Sequence, residues 1–165
     1  MEQSRAHQYL IALGSNQRHP KIGNPRAVVA KVAGLMDGTL GAVVALSRII
    51  ETAPVGPSLR RYANAALVLD SALEPPELLF ALQQVEVQLG RVKRGQRWRA
   101  RVIDLDIVLW SGGTFASRDL VVPHLLFRSR DFVLRPAARI APSWRDPVSG
   151  LAVAHLFARL GRHHA

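Results

Sequence analysis

At 165 residues, 48% of them hydrophobic, the chain is long enough to bury an ordinary core, which excludes extended disorder and sets the expectation of one domain over residues 1–165. It contains no cysteine, so disulfides and thiolate metal sites are excluded, and no apolar run approaches the ~20 residues that cross a bilayer; both fit a cytoplasmic protein. The formal net charge of +10 fits an anionic ligand, nucleic acid included, and fits an arginine-rich solvated surface equally well.

Tyr9–Leu13 is a short apolar run stopped by Gly14-Ser15-Asn16, the pattern of a buried strand entering a tight turn. From Asn24-Pro25 to Met36, Val28, Val29, Val32, Leu35 and Met36 recur at helical spacing, with Asn24 as the cap, Pro25 in the first helical position and Asp37-Gly38 as the stop. Gly41–Glu51 is rich in β-branched residues and predicts a second strand, closed by the Thr52–Pro57 loop. Tyr62–Ser71 predicts a third, antiparallel to the second. Pro75-Pro76-Glu77 opens a helix with an apolar stripe of Leu78, Leu79, Leu82, Val85 and Leu89, bordered by Glu86 and ended by Gly90.

Val102–Trp110 predicts a strand whose Ile103, Leu105, Ile107 and Leu109 face one way and whose Asp104, Asp106, Val108 and Trp110 face the other. Leu120–His124 is a short extended piece, Arg128–Leu134 is helical in part, and the remainder from Pro136 mixes loops with one amphipathic helix over Val153–Leu160. Strand, helix, strand, strand, helix, strand is the order of a ferredoxin-like α+β sandwich, a mostly antiparallel sheet with its helices on one face.

The chemistry concentrates between Glu86 and Trp110. Six of the eleven residues from Arg91 to Arg101 are cationic (Arg91, Lys93, Arg94, Arg97, Arg99, Arg101), and Asp104 and Asp106 follow. Alternate residues of a strand put these carboxylates ~6.5–7 Å apart on one face. Two hard oxygen donors suit Mg²⁺, which takes one or two carboxylates and leaves its other positions to water and phosphate. An isolated Asp-x-Asp more often marks two solvated aspartates; the guanidinium groups beside this one favour a ligand with several phosphates. No G-x-x-x-x-G-K-[ST] or G-x-G-x-x-G is present, so such a ligand must be held by side chains and metal. Trp98 stands in the basic loop without apolar periodicity, as an anchor for a closing loop or as a surface tryptophan. His124 alone reads as structural, with no second histidine at metal spacing, and His163-His164 is an uninformative tail.

These pieces, in this order, resemble the 6-hydroxymethyl-7,8-dihydropterin pyrophosphokinases of folate biosynthesis. The matching segments run from Tyr9 to about Pro142, with residues 143–165 as an extension. They are Leu13-Gly14-Ser15-Asn16, Glu51-Thr52, Pro54-x-Gly56-Pro57, Tyr62-x-Asn64-Ala65, Glu86-x-x-x-Gly90-Arg91, Arg97-Trp98-x-x-Arg101, Asp104-Leu105-Asp106-Ile107, Pro123-His124 and Arg130-x-Phe132-Val133-Leu134. The resemblance implies a ferredoxin-like fold and transfer of pyrophosphate from ATP to the pterin hydroxymethyl group, releasing AMP. It implies two Mg²⁺ ions on Asp104 and Asp106, Arg91 and Arg101 on the phosphates, and Arg97 and Trp98 on a mobile loop. Tyr62 and Phe132 would stack on the pterin, Asn64 would read its polar edge, and backbone groups near Thr52 and Val55 would complete its recognition. Gln83, Glu86, His124 and Arg130 match positions lining the ATP side.

The chain departs from the family pattern at Leu59-Arg60-Arg61, at Arg99-Ala100 and at Leu125, none of which touches the aspartates. Two other readings stay open on the residues: a basic ferredoxin-like module that binds RNA, which lacks the aromatic strand motif of such modules, and a relative that binds pterin or nucleotide without turnover. The expectation is a cytoplasmic, monomeric enzyme whose partners are ATP and the pterin, with no nucleic acid and no membrane.

Overall fold

The computed structural model describes residues 6–52, 61–90 and 102–163. The central strand is β1 (His7–Ser15), whose Tyr9, Leu10, Ile11 and Leu13 are all buried, so both of its faces require cover. α1 (Pro25–Met36) starts as the sequence predicts: Asn24 Oδ1 accepts from the Ala27 N–H at 2.9 Å, satisfying one of the free donors of the first turn.

β4 (Tyr62–Ser71) pairs antiparallel with β1 on one side and with both β2 (Ala42–Leu46) and β3 (Ile50–Thr52) on the other. The single strand expected over 41–51 is therefore two. At the break the Ser47 N–H donates to Ala66 O, while Ser47 Oγ accepts from the Ala66 N–H, both at 2.9 Å. A side chain thus takes the place of a ladder carbonyl and the strand bends there.

α2 (Pro75–Gln88) opens with the Glu74 N–H donating to Glu77 Oε1, and ends where Gly90 takes φ 102°, a conformation glycine adopts without a Cβ clash. β5 (Asp104–Trp110) then pairs with the free side of β1, giving the order β2-β4-β1-β5, all antiparallel. A two-stranded ribbon of β6 (Phe115–Ala116) and β7 (Val121–Val122) follows. A 3₁₀ turn (Phe127–Ser129), α3 (Asp131–Ile140) and α4 (Val153–His163) complete the described chain. No described helix is long and apolar enough to cross a membrane.

The fold is the expected ferredoxin-like α+β sandwich, with three corrections. Helices cover both faces, not one. Val28, Val29, Val32 and Met36 of α1 and Leu78 and Leu82 of α2 pack with Tyr9, Ile11, Leu13, Leu67 and Leu69 on the first face. On the second face Val133, Leu134 and Ala137 of α3, Val153 and Leu156 of α4, and Phe127 pack with Leu10, Ala66 and Val68. The physical reason is that β1 and β4 are apolar on both sides, so a single helical layer would leave Leu10, Ala66 and Val68 in water.

The second correction concerns β5. Leu10 pairs with Leu109 but Ile11 pairs with Ile107, so Val108 is an extra residue, a β-bulge, and the alternation reverses after it. Leu109 joins the second-face core and Trp110 packs on the first, opposite to a strict period of two. Asp104 and Asp106 precede the bulge and keep their shared face. Third, α3 runs through Pro136 instead of ending before it. Burial of Val133, Leu134 and Ala137 outweighs the one hydrogen bond that proline cannot donate.

Candidate active site

The candidate side chains gather where β1 ends and β4 and β5 begin. In the ladder Gly14 faces Asn64 on one side and Asp104 on the other, and Ala12 faces Ala66 and Asp106. Residues in register across a sheet share a face, so Asn64, Asp104 and Asp106 stand on the second face around a floor of Gly14 and Ala12. With strands ~4.8 Å apart, the backbones of Asn64 and Asp104 are ~10 Å apart, room for a ligand to lie between them. Gly14 is needed for this reason: a Cβ there would sit 3.1 Å from Asn64 Oδ1.

Asn64 is only 4% exposed, and its Nδ2 donates to Thr52 Oγ1 at 2.9 Å. That contact fixes the amide plane, so the Thr52 side chain orients Asn64. Tyr62 lies two residues earlier on the same face of β4 and is half-buried.

The opposite wall comes from the stretch between β7 and α3. The His124 N–H donates to Val108 O at 3.1 Å, hanging the residue on β5, and Nδ1 accepts from the Leu126 N–H at 3.2 Å. With Nδ1 occupied as an acceptor, the neutral ring carries its proton on Nε2, which points to Asp106 Oδ2 at 3.9 Å. Burial lowers the His124 pKa, the nearby Arg130 lowers it further, and Asp104 offsets part of this. The imidazole is thus neutral at pH 7, and it flanks the carboxylates without cancelling their charge. Arg130 caps α3, with Cζ 5.6 Å from the centre of the Phe132 ring, and Phe132 is partly buried against the second-face core.

Of the residues singled out in the sequence, the structure brings together Asp104, Asp106, His124, Arg130 and Phe132 around one end of the second face, with Asn64, Thr52 and Tyr62 across the floor. Gln83 is exposed and Glu86 is buried on α2, which packs along the edge strand β5 from the first-face side. Val55, Arg91, Arg97, Trp98 and Arg101 lie outside the described residues, as do Leu59, Arg60, Arg99 and Ala100. Sequence reasoning missed Gly14 as the floor, because Leu-Gly-Ser-Asn reads locally as a turn. A glycine in a strand interior is the signal that could have shown it.

The donor set suits Mg²⁺. Asp104 and Asp106 offer hard oxygens, the Asp106 side chain is 35% exposed, and neither Gly14 nor Ala12 crowds them. No group of three His, Cys, Asp or Glu able to hold a metal occurs among the described residues. A tightly chelated ion such as zinc would need such a group, whereas Mg²⁺ completes its shell with water and phosphate oxygens.

Comparison with known proteins decides the family. The model of the 7,8-dihydro-6-hydroxymethylpterin-pyrophosphokinase (HPPK) family matches residues 10–142. The chain belongs to the HPPK family. Among its relatives, the 2-amino-4-hydroxy-6-hydroxymethyldihydropteridine pyrophosphokinase of Methylorubrum extorquens is 40% identical over 134 residues, 80% of this chain and 81% of that protein. The enzyme of the same name from Synechocystis is 33% identical over 156 residues, 94% of this chain and 77% of that protein. In solved structures, the HPPK-DHPS chain of Plasmodium falciparum superposes with a TM-score of 0.76 at 14% identity. It covers 96% of this chain, which spans 45% of that longer one, and shares the fold. This HPPK is thus an ATP-dependent diphosphotransferase of folate biosynthesis, a pterin pyrophosphokinase.

Proposed function

We propose that the second-face end of the sheet is where this HPPK joins ATP to 6-hydroxymethyl-7,8-dihydropterin. The observation that supports it is the ladder row Asn64–Gly14–Asp104, which sets an amide and a carboxylate pair on either side of a floor of Gly14 and Ala12, with no side chain larger than a methyl. The pterin hydroxyl oxygen forms a bond to the β-phosphorus of ATP, the bond from that phosphorus to the α,β-bridging oxygen breaks, AMP leaves, and the hydroxyl proton is released.

Two Mg²⁺ ions on Asp104 and Asp106 would supply charge neutralisation on the phosphates and make the acceptor hydroxyl more acidic. The protein's own groups do the positioning, which for phosphoryl-type transfer is most of the work. Asn64, held by Thr52, presents its amide to the polar edge of the pterin. Tyr62 and Phe132 take the ring's faces by stacking, and backbone groups near Thr52 and Val55 complete its recognition. Arg130 and neutral His124 bind on the nucleotide side, and Gln83 and Glu86 line it at the β5 edge. Arg91 and Arg101 meet the phosphates as charge builds, and Arg97 and Trp98 close over the site and exclude water. The enzyme acts as a monomer in the cytoplasm.

The test is product analysis. Purified protein with ATP and Mg²⁺ should form AMP only when the hydroxymethyl pterin is supplied; ADP, or no turnover, would overturn the assignment.

A further inference from the structure

The family match ends at residue 142, yet the chain beyond it reaches back to the nucleotide side of the site. Asp146, in the connection between α3 and α4, is fully buried. Its Oδ2 accepts from Arg128 Nε at 2.6 Å and its Oδ1 from an Arg128 Nη at 2.8 Å, a two-pronged carboxylate–guanidinium pair. Ser149 Oγ donates to Oδ2 at 2.6 Å and the Val148 N–H to Oδ1 at 3.0 Å, so the carboxylate cannot turn without losing a partner. The segment carrying it is itself tied down: the Asp146 N–H donates to Leu151 O and the Gly150 N–H to Asp146 O.

Arg128 lies in the 3₁₀ turn that separates His124 from Arg130 and Phe132. Its Cζ rests 4.7 Å from the centre of the Phe127 ring, and Phe127 is buried with Val153 and Leu156 of α4. The turn carries this fixed point directly to the site. The Arg130 N–H donates to Phe127 O, and Arg130 O accepts from the Val133 and Leu134 N–H groups that open α3. Moving Arg128 therefore moves the backbone from which Arg130 is launched.

We infer that Asp146 is a positioning residue for nucleotide binding: through Arg128 it fixes the 3₁₀ turn and so sets where Arg130 meets the phosphates. The inference rests on the proposed placement of ATP beside Arg130. It assigns to the segment after the family match a part in the reaction, as a clamp that touches neither substrate.

The experiment is steady-state kinetics on Asp146→Asn, Arg130→Ala, the double variant and Met36→Ala, a core truncation in α1 distant from the clamp. Misplacement of a charged contact by a fraction of an ångström should raise the KM for ATP about tenfold in Asp146→Asn, with kcat at saturating ATP within about twofold. Because Asp146 acts through Arg130, the double variant should be no worse than Arg130→Ala alone. Met36→Ala should lower Tm without changing the KM for ATP, which separates positioning from lost stability. An unchanged KM in Asp146→Asn, or full additivity in the double variant, overturns the clamp. If Arg130→Ala itself leaves the KM for ATP unchanged, the placement of ATP has failed instead. Should Asp146→Asn not fold, Arg128→Lys, which keeps the charge but loses the two-pronged geometry, takes its place with the same expected outcomes.

Discussion

Asp106 and Asp146 stand near the same 3₁₀ turn and are handled in opposite ways. Asp146 is removed from water and given four hydrogen bonds, two of them from one guanidinium. Burial alone would raise its pKa, but the bonds from Arg128, Ser149 and Val148 hold it well below the usual carboxylate range. Asp106 keeps 35% of its side chain exposed, and the ring 3.9 Å away is a histidine whose pKa is lowered. A buried carboxylate with a complete set of donors has no capacity left for a ligand, whereas a carboxylate that keeps a third of its side chain in solvent can still be reached by one. The two are thus separable by experiment: one should govern turnover, the other stability and alignment.

The largest effect expected is on turnover. Asp106→Ala should lower AMP formation by on the order of 10³-fold, with a smaller loss of Tm than Asp146→Ala, since the Asp106 side chain is 35% exposed and that of Asp146 is fully buried. Retained turnover, or a collapse in Tm, would erase the contrast. Asp146→Ala should do the reverse in stability terms. It leaves Arg128 without its partner beside the second-face core and should cost about 3 kcal/mol in a denaturant titration. Acid sharpens this test. Because the folded-state pKa of Asp146 is depressed, its stabilisation is present above its ordinary value of 3.8 and is lost as pH falls through the folded-state pKa. The stability gap between wild type and Asp146→Asn should therefore be full at neutral pH and shrink only below about pH 4.

The same contrast explains how much the sequence revealed. Asp104-Leu105-Asp106 was legible because two carboxylates at a spacing of two, next to a basic run, have a local meaning. Asn24-Pro25, Pro75-Pro76-Glu77 and the apolar stripe of α2 were legible for the same reason, since caps and helical periods are short-range. Arg128 and Asp146 are 18 residues apart in chain and nothing local pairs them. The bulge at Val108 is a property of the register with β1, invisible to a pattern read along one strand, and so Leu109 and Trp110 were assigned to the wrong faces. Helices on both faces follow from the two-sided burial of β1; the apolar run Tyr9–Leu13 marked a buried strand, but the order of elements did not say that α3 and α4 would cover its second face. The side-chain bond between Thr52 and Asn64 and the floor at Gly14 emerge only when β3, β4 and β1 are laid side by side.

A smaller effect tests the floor between the two substrates. In Gly14→Ala the new Cβ would lie 3.1 Å from Asn64 Oδ1, so the amide must give by a few tenths of an ångström and pull on its bond to Thr52. The KM for the pterin should rise by several-fold, about 1 kcal/mol, while the KM for ATP changes less, because Arg130 and His124 are reached from the other wall. A change confined to ATP would move the pterin away from Asn64.

The smallest expected effect belongs to His124. Its folded-state pKa lies below its ordinary value of 6.5, so the unfolded chain binds the proton more readily. The stabilisation from its burial as a neutral ring is full above pH 6.5 and is lost as pH falls through the folded-state pKa. Wild-type Tm should therefore decline as pH falls below about 6.5 more steeply than that of His124→Gln, which has no proton to gain there. Parallel curves would mean that the imidazole is not held neutral. The distinction between Asp106, partly exposed beside His124, and Asp146, buried against a permanent cation, would then rest on burial alone.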